Sequence, residues 1–517
     1  MVPPFTNEPL SDFRVETTRR GFEAALRLVE SESGRRWPLK IGGAEVTTDR
    51  WIEPTNPADP GEVVGRVARA GRDEAERALE AAERAFAGWS RTEPSERARL
   101  LMRVAAIMRR RKHELSAQMV VEIGKSWSEA DADTAEAIDF CEYYAREMMR
   151  LGVPQPLTPA AGTDSELTRQ PIGVGLIVPP WNFPCAIATG MVVSSLVTGN
   201  CALFKPASLT PVVAARVMAI LEEAGLPAGV VNFIPGSGEE VGDYLVQHPR
   251  VRYVSFTGSR EVGCRIYEQA ARVQPGQRWL KRVVAEMGGK DAIVVDDSWP
   301  DLEAAAAGVV ASAYGFQGQK CSACSRLIVV DSAHDRLVEL VRERASALRV
   351  GDPRDQSVEL GPVAGREQFA KVATYVDIGR EEGRLLVGGG ADDSHGWFVE
   401  PTIFDEVAPR ARIAQEEIFG PVLAVLRARD FDHALEIAND TPYGLTGAAY
   451  ARDPDRLAQA RREFQVGNLY LNRKCTGARV GVEPFGGFNM SGTNAKAGGP
   501  DYLAWFLDAK VTSEAIC

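Results

Sequence analysis

The chain has 517 residues, a length that implies about two or three domains and not one small core. Apolar residues make up 45% and charged residues 25%, as in ordinary globular proteins, and the net charge of -11 argues against a nucleic-acid partner. The eight cysteines (141, 185, 201, 264, 321, 324, 475 and 517) lack the tight spacing of a secreted disulfide framework, so a cytoplasmic setting is expected. No two of the five histidines lie at ligand spacing, so no metal site is expected.

Residues 1–5 lack the basic-then-apolar pattern of a signal peptide. The first part of the chain is predicted helical. Residues 73–89 carry Ala75, Leu79, Ala82 and Phe86 at helical spacing, residues 94–125 continue the pattern, and residues 128–151 place Ile138, Cys141, Ala145 and Met148 on one face. The basic run from Arg109 to Lys112 falls inside the second of these and reads as a solvated helix face. Residues 154–164 form a polar break. From residue 174, strands at 175–178, 202–204, 230–234 and 253–256 alternate with helices at 186–196, 211–224, 239–247 and 261–271. This alternation predicts a parallel, doubly wound α/β sheet, which binds ligands beyond the carboxyl ends of its strands. No charged residue occurs between 170 and 204, but Pro179, Pro180 and Pro184 interrupt the stretch; a membrane span needs about 20 uninterrupted apolar residues, so none is expected. A second α/β region follows over 287–487, with strands at 292–295, 327–330 and 422–425, and residues 502–517 read as a separate tail.

Several short segments can carry chemistry. In Gly318-Gln319-Lys320-Cys321-Ser322-Ala323-Cys324, Cys321 is a candidate nucleophile, although most cysteines are structural and Cys321-x-x-Cys324 also permits a redox or metal reading. A zinc ribbon needs a second pair, which is absent. In Glu286-Met287-Gly288-Gly289-Lys290, a Glu closing a strand before paired glycines can reach a cavity, or can be a surface Glu before a turn. Pro180-Trp181-Asn182-Phe183-Pro184 fixes an Asn amide in a rigid loop, where it can serve a developing oxyanion or simply pack. Lys205 ends a strand at a position suited to a ribose or phosphate; a solvated lysine is an equal reading. Gly258-Ser259 opens a helix whose N-terminus can face a phosphate, or Ser259 is an ordinary N-cap. Gly236-Ser237-Gly238-Glu239-Glu240-Val241-Gly242 is only an approximate dinucleotide fingerprint.

Taken together and in this order, the segments resemble the aldehyde dehydrogenase superfamily over nearly the whole chain. Glu286–Lys290, Gly318–Cys321, Pro180–Pro184, Phe256–Ser259 and Glu416–Pro421 match its motifs. The resemblance implies a Rossmann-like NAD(P) domain (residues 1–152 and 172–286), an α/β catalytic domain (287–490) and a small β oligomerisation element (153–171 and 500–517), in a homodimer or higher homo-oligomer. It implies Cys321 as nucleophile, Asn182 with the Cys321 N–H as oxyanion donors, and Glu286 as general base. The cofactor, NAD with NADP possible as an alternative, would meet Val178, Pro179, Trp181, Lys205, Ser208, Gly238, Gly242, Thr257, Gly258, Ser259, Val262, Met287, Gly288, Glu417 and Phe419. NAD-preferring members often carry Glu where this chain has Ser208, which removes a charge that repels a 2'-phosphate.

The stretch Asn472-Arg473-Lys474-Cys475-Thr476-Gly477-Ala478 before Pro484-Phe485-Gly486-Gly487 adds detail, together with Lys320-Cys321-Ser322 and residues 135–140. These resemble the bacterial branch of the superfamily that oxidises L-glutamate γ-semialdehyde to glutamate in proline breakdown, in its monofunctional form. By that resemblance Gly477, Ala478 and Ser322 would bind the substrate head, Phe183 and Phe485 would flank its chain, and Glu136 and Lys320 would line the site. Physically, Thr-Gly-Ala can turn backbone N–H groups toward one carboxylate; an ordinary loop turn is the plainer reading of those residues alone. Another semialdehyde dehydrogenase, such as one for succinate semialdehyde, is the alternative. A redox or metal protein using Cys321 and Cys324, and a non-catalytic protein on the same fold, are the rivals from other classes.

Overall fold

The computed structural model describes residues 3–516; Met1, Val2 and Cys517, the last of them one of the eight cysteines and the end of the expected tail, lie outside the described residues. Two seven-stranded sheets organise the chain. The first runs in the order Arg282–Glu286, Tyr253–Thr257, Val174–Val178, Cys201–Phe204, Val231–Phe233, Leu39–Ile41 and Ala44–Val46. Its first five strands are parallel, and the last two add antiparallel at one edge. The strands are almost wholly buried runs of Val, Ile, Leu and Phe, as expected for a sheet covered by helices on both faces. Val174–Val178 lies between Cys201–Phe204 and Tyr253–Thr257, so the chain reverses its winding direction between the first and the last of these three. A doubly wound sheet opens a crevice at such a switch point.

The second sheet runs Arg384–Val387, Thr402–Asp405, Val422–Ala428, Cys324–Val330, Asp291–Val295, Thr446–Tyr450 and Asn468–Leu471, parallel except at its first edge. Leu507–Ala515, Thr163–Pro171 and Gln155–Pro156 form a separate antiparallel ribbon, in register from Leu507 opposite Pro171 to Ala515 opposite Thr163.

The uncharged stretch is explained by burial. Helix Ala186–Val197 buries every residue except Ile187, so it has no polar face to show. Among the described residues no helix is long and apolar enough to cross a membrane. Trp127–Leu151 buries Ile138, Cys141, Ala145 and Met148, the stripe read from periodicity.

Four readings need correction. The N-terminal part is not all helix: after Glu16–Ser31, short strands occupy parts of residues 36–68, and their two- to five-residue runs carry no readable alternation. The helix expected over 94–125 is two, Pro94–Arg110 and Lys112–Ile123, broken at Arg111. The helix expected over 239–247 opens with a wide π turn, Gly238–Gly242, before Asp243–Gln247. Residues 502–516 are not separate from the rest, because Leu507–Ala515 pairs along its length with Thr163–Pro171.

Candidate active site

A cavity of about 420 Å³ opens at the switch point, beyond the ends of Val174–Val178 and Tyr253–Thr257. Fourteen of the fifteen residues expected at a cofactor line it: Val178, Pro179, Trp181, Lys205, Gly238, Gly242, Thr257, Gly258, Ser259, Val262, Met287, Gly288, Glu417 and Phe419. Ser208 does not; it is exposed, and Ala207 lines the cavity in its neighbourhood. Ser259 caps helix Arg260–Ala271, its Oγ accepting from the Val262 N–H at 3.3 Å, so the positive end of that helix faces the cavity. The Lys205 ammonium is buried against the Gly236 carbonyl at 3.1 Å and the Pro206 carbonyl at 3.4 Å, and burial lowers its pKa to about 8. Glu417 accepts from the Gly289 N–H at 3.0 Å, while its burial pushes the carboxyl above its ordinary range. The Trp181 and Phe419 rings meet edge to face at 5.3 Å. The lining also includes Gln368 and Lys371, from helix Arg366–Glu382, which no motif pointed to.

The nucleophile candidate is held by an unusual turn. Helix Leu302–Tyr314 ends in Gly315–Gly318, where Phe316 (φ 49°) and Gln317 (φ 55°) adopt left-handed backbone. Each such non-glycine residue costs on the order of 1–2 kcal/mol. Side-chain hydrogen bonds offset that cost: Gln317 Nε2 donates to the Gly124 carbonyl at 2.9 Å and the Pro362 carbonyl at 2.7 Å, and Gln319 Oε1 accepts from the Ala364 N–H at 2.9 Å. A Cβ on Gly289 would collide with the Cys321 carbonyl, so this glycine lets the Glu286–Lys290 segment press against the turn that carries Cys321. Cys321 stands half-buried at the cavity. Burial, and then the Asp291, Glu417 and Glu286 carboxyls, push its thiol well above the ordinary value. The Ser322 N–H works in the opposite direction. Asn182 lines the same cavity, with its amide donating to the Gln319 carbonyl at 3.0 Å and a second N–H to offer.

Glu286 closes strand Arg282–Glu286. Both of its carboxyl oxygens are buried without a hydrogen-bond partner. Burial raises its pKa to about 8, against the pull of Lys496. A buried carboxyl with nothing to bond is costly structurally, and such groups mark sites of proton chemistry. Gly486 packs closely against Glu286, and a Cβ there would stand 3.1 Å from Oε1. Phe485, the preceding residue, is pinned by paired backbone hydrogen bonds with Ala497.

The remaining expected substrate residues fall in two groups. Around helix Trp127–Leu151, Lys320 pairs with Glu129 at 2.7 Å, and the Glu136 carboxyl is raised to about 8 by burial and by Asp133. Lys125, paired with Asp133 at 2.7 Å and fully buried, lies 4.0 Å from the centre of the Phe183 ring and 4.5 Å from that of Phe316. The other group is the loop with Gly477 and Ala478. Gly477 has φ 82°, left-handed backbone that a side chain would strain. Cys475, at its base, reaches the Ser322 carbonyl at 3.5 Å and so ties the loop to the residue after Cys321. Cys324 is buried at the start of its strand and donates to the Arg326 carbonyl at 3.4 Å.

The sequence matches the aldehyde dehydrogenase family over residues 44–512, and the chain belongs to that family. It is 60% identical over 514 residues to the 1-pyrroline-5-carboxylate dehydrogenase of a Geobacillus species (strain WCH70), covering 99% of this chain and 100% of that protein. A structure of 1-pyrroline-5-carboxylate dehydrogenase from Thermus with bound NAD superposes with a TM-score of 0.98 at 55% identity, covering 99% of both chains. Betaine aldehyde dehydrogenase from Staphylococcus aureus, in complex with NAD+, superposes at 0.89 with 30% identity, covering 96% of this chain and 98% of that one.

Proposed function

We propose that this chain oxidises L-glutamate γ-semialdehyde, the open form of 1-pyrroline-5-carboxylate, to L-glutamate with NAD, in proline degradation. One observation carries the reading: Cys321 lines a switch-point cavity, within electrostatic reach of the unpartnered Glu286, in a chain 60% identical, end to end, to an enzyme of that name. The cavity suits a dinucleotide, with a helix N-terminus for phosphate, the buried Lys205 ammonium and Glu417 carboxylate for ribose hydroxyls, and an apolar Trp181–Phe419 wall for a flat ring. When bound there, NAD supplies the acceptor for the hydride.

The chain's own residues do the rest. Cys321 gives its proton to solvent at its partly exposed face and adds as thiolate to the aldehyde carbon, converting a planar, electron-poor centre into a tetrahedral thiohemiacetal whose oxygen carries the charge. The Asn182 amide and the Cys321 N–H receive the developing oxyanion; losing one such donor costs about 3 kcal/mol of barrier. The resulting thioester is opened by a water that Glu286 deprotonates. A carboxyl with a pKa of about 8 is well matched to that task near neutrality. The Gly477–Ala478 loop and Ser322 receive the α-carboxylate, Phe183 and Phe485 flank the aliphatic chain, and Glu136 and Lys320 complete the wall around the substrate head.

The first sheet with the N-terminal helices (residues 1–152 and 172–286) acts as the NAD(P) unit, and residues 287–490 carry the nucleophile. The ribbon of Thr163–Pro171 and Leu507–Ala515 joins subunits in a homodimer or higher assembly; the exposed Trp505, Val511 and Ile516 support this role. The free cysteines support a cytoplasmic location. NADH formation with glutamate semialdehyde, succinate semialdehyde and propanal tests the substrate. The reading requires the first to have the highest kcat/KM; a preference for succinate semialdehyde would replace it with the alternative.

A further inference from the structure

The loop that carries Gly477 begins at Lys474, a residue with no part in the mechanism above. Its side chain folds back over the glycine: from the point where a Cβ on Gly477 would sit, Lys474 Cε is 3.5 Å away and Nζ 3.7 Å. Burial, and then a second ammonium, Lys320, lower the pKa of Lys474, and Glu129 pulls it the other way. Glu129, however, is already engaged by Lys320 at 2.7 Å. Among the described residues no carboxylate lies within ion-pair distance of Lys474, and Asp133 is taken by Lys125. Two lysines therefore share one carboxylate beside the left-handed turn, leaving one positive charge without a counter-ion. Glu136, the other carboxyl near this group, is held toward its neutral form by burial and does not cancel that charge.

We propose that Lys474 is a specificity-determining residue, its ammonium completing an anion site with the Gly477–Ala478 backbone and selecting aldehydes that carry a carboxylate at the far end. This rests on the proposed reading of the loop as the head-group site. The backbone N–H groups give direction but no net charge; Lys474 adds a charge that no carboxylate pairs, whereas the Lys320 ammonium on the same wall is already paired with Glu129. Lys474 is solvent-exposed, so it can meet the substrate as it enters.

The test compares Lys474→Met, which keeps the stem and removes the charge, with Lys474→Arg, using glutamate semialdehyde and uncharged pentanal, together with product inhibition by L-glutamate. One charge-assisted hydrogen bond at the lower end of its range corresponds to about tenfold. Lys474→Met should raise KM for glutamate semialdehyde and weaken L-glutamate inhibition by about that factor, with kcat and pentanal oxidation nearly unchanged. Lys474→Arg should restore most of the loss. If Lys474→Met loses both aldehydes equally, the residue is only structural and the inference is wrong. If it keeps the wild-type preference, the charge is not used and the inference is equally wrong, while the proposed function stands. A wild-type enzyme that does not prefer glutamate semialdehyde over pentanal overturns the substrate reading itself, and this inference with it.

Discussion

Replacing Glu286 by Gln removes a proton acceptor while keeping size and shape, and the structure sets what should follow. The carboxyl is buried, lacks any hydrogen-bond partner and has its pKa raised to about 8 from an ordinary 4.5. If it activates the hydrolytic water, steady turnover in the wild type follows its ionised fraction, which grows about twentyfold from pH 6 to pH 7.5 for a group of that pKa. The variant should lose that pH dependence and about 10²–10⁴-fold of steady turnover. Its first turnover should survive, because hydride leaves before water is needed. Stopped-flow NADH absorbance separates the two: a burst of about one equivalent per site, then a near-flat line. A second consequence concerns stability. The folded pKa lies above the unfolded one, so the folded state holds the extra proton between about pH 4.5 and pH 8, and stability falls as pH rises through that window. A shift of this size corresponds to roughly 5 kcal/mol at its upper bound. The neutral amide of the Glu286→Gln variant carries no such charge, so the variant should melt higher than wild type at pH 8.5 and differ little at pH 4.5. Loss of burst and turnover together, or a variant that keeps the wild-type pH rise, would refute the role of Glu286 as the hydrolytic base.

Three other outcomes are expected. Cys321→Ala should abolish dehydrogenation and leave NAD binding, read by fluorescence titration, within about twofold; near-normal turnover would remove Cys321 as nucleophile. Gly477→Val should cut kcat/KM for glutamate semialdehyde by about a hundredfold, the value of two charge-assisted hydrogen bonds, and barely affect propanal, since φ 82° is open to glycine and strained for valine; equal losses would point to general disruption of the loop. Ser208→Glu should weaken NADP use about fivefold and NAD use little, because at an exposed position the added repulsion on a 2'-phosphate is about 1 kcal/mol. Equal effects on both cofactors would place residue 208 away from the 2' position.

Much of the first sheet can be read from sequence because its strands are buried on both faces and appear as unbroken apolar runs between helices, as in Gly175-Leu176-Ile177-Val178. The cofactor cavity follows from that topology, which is why residues as far apart as Val178, Thr257 and Glu417 converge on it. The short strands between residues 36 and 68 escape detection because runs of two to five residues show no period, and strands such as Leu39–Ile41 are fixed by pairing with distant ones. The turn that carries Cys321 is equally silent: nothing about Phe316 or Gln317 favours left-handed backbone, and the hydrogen bonds that impose it come from Gly124 and Pro362, 193 and 45 residues away from Gln317. Gln368 and Lys371 reach the cavity from an amphipathic helix whose pattern gives no hint of a ligand. The unpaired Glu286 shows most clearly what sequence withholds, since its motif marks a position while its empty surroundings are visible only in three dimensions.

The most direct measurement is mass spectrometry of Glu286→Gln enzyme quenched within the burst after mixing with NAD and glutamate semialdehyde. A γ-glutamyl group in thioester linkage is expected on the peptide containing Cys321, at about one per chain and absent when NAD is omitted. An unmodified Cys321, or the acyl group on Cys324 instead, would contradict it.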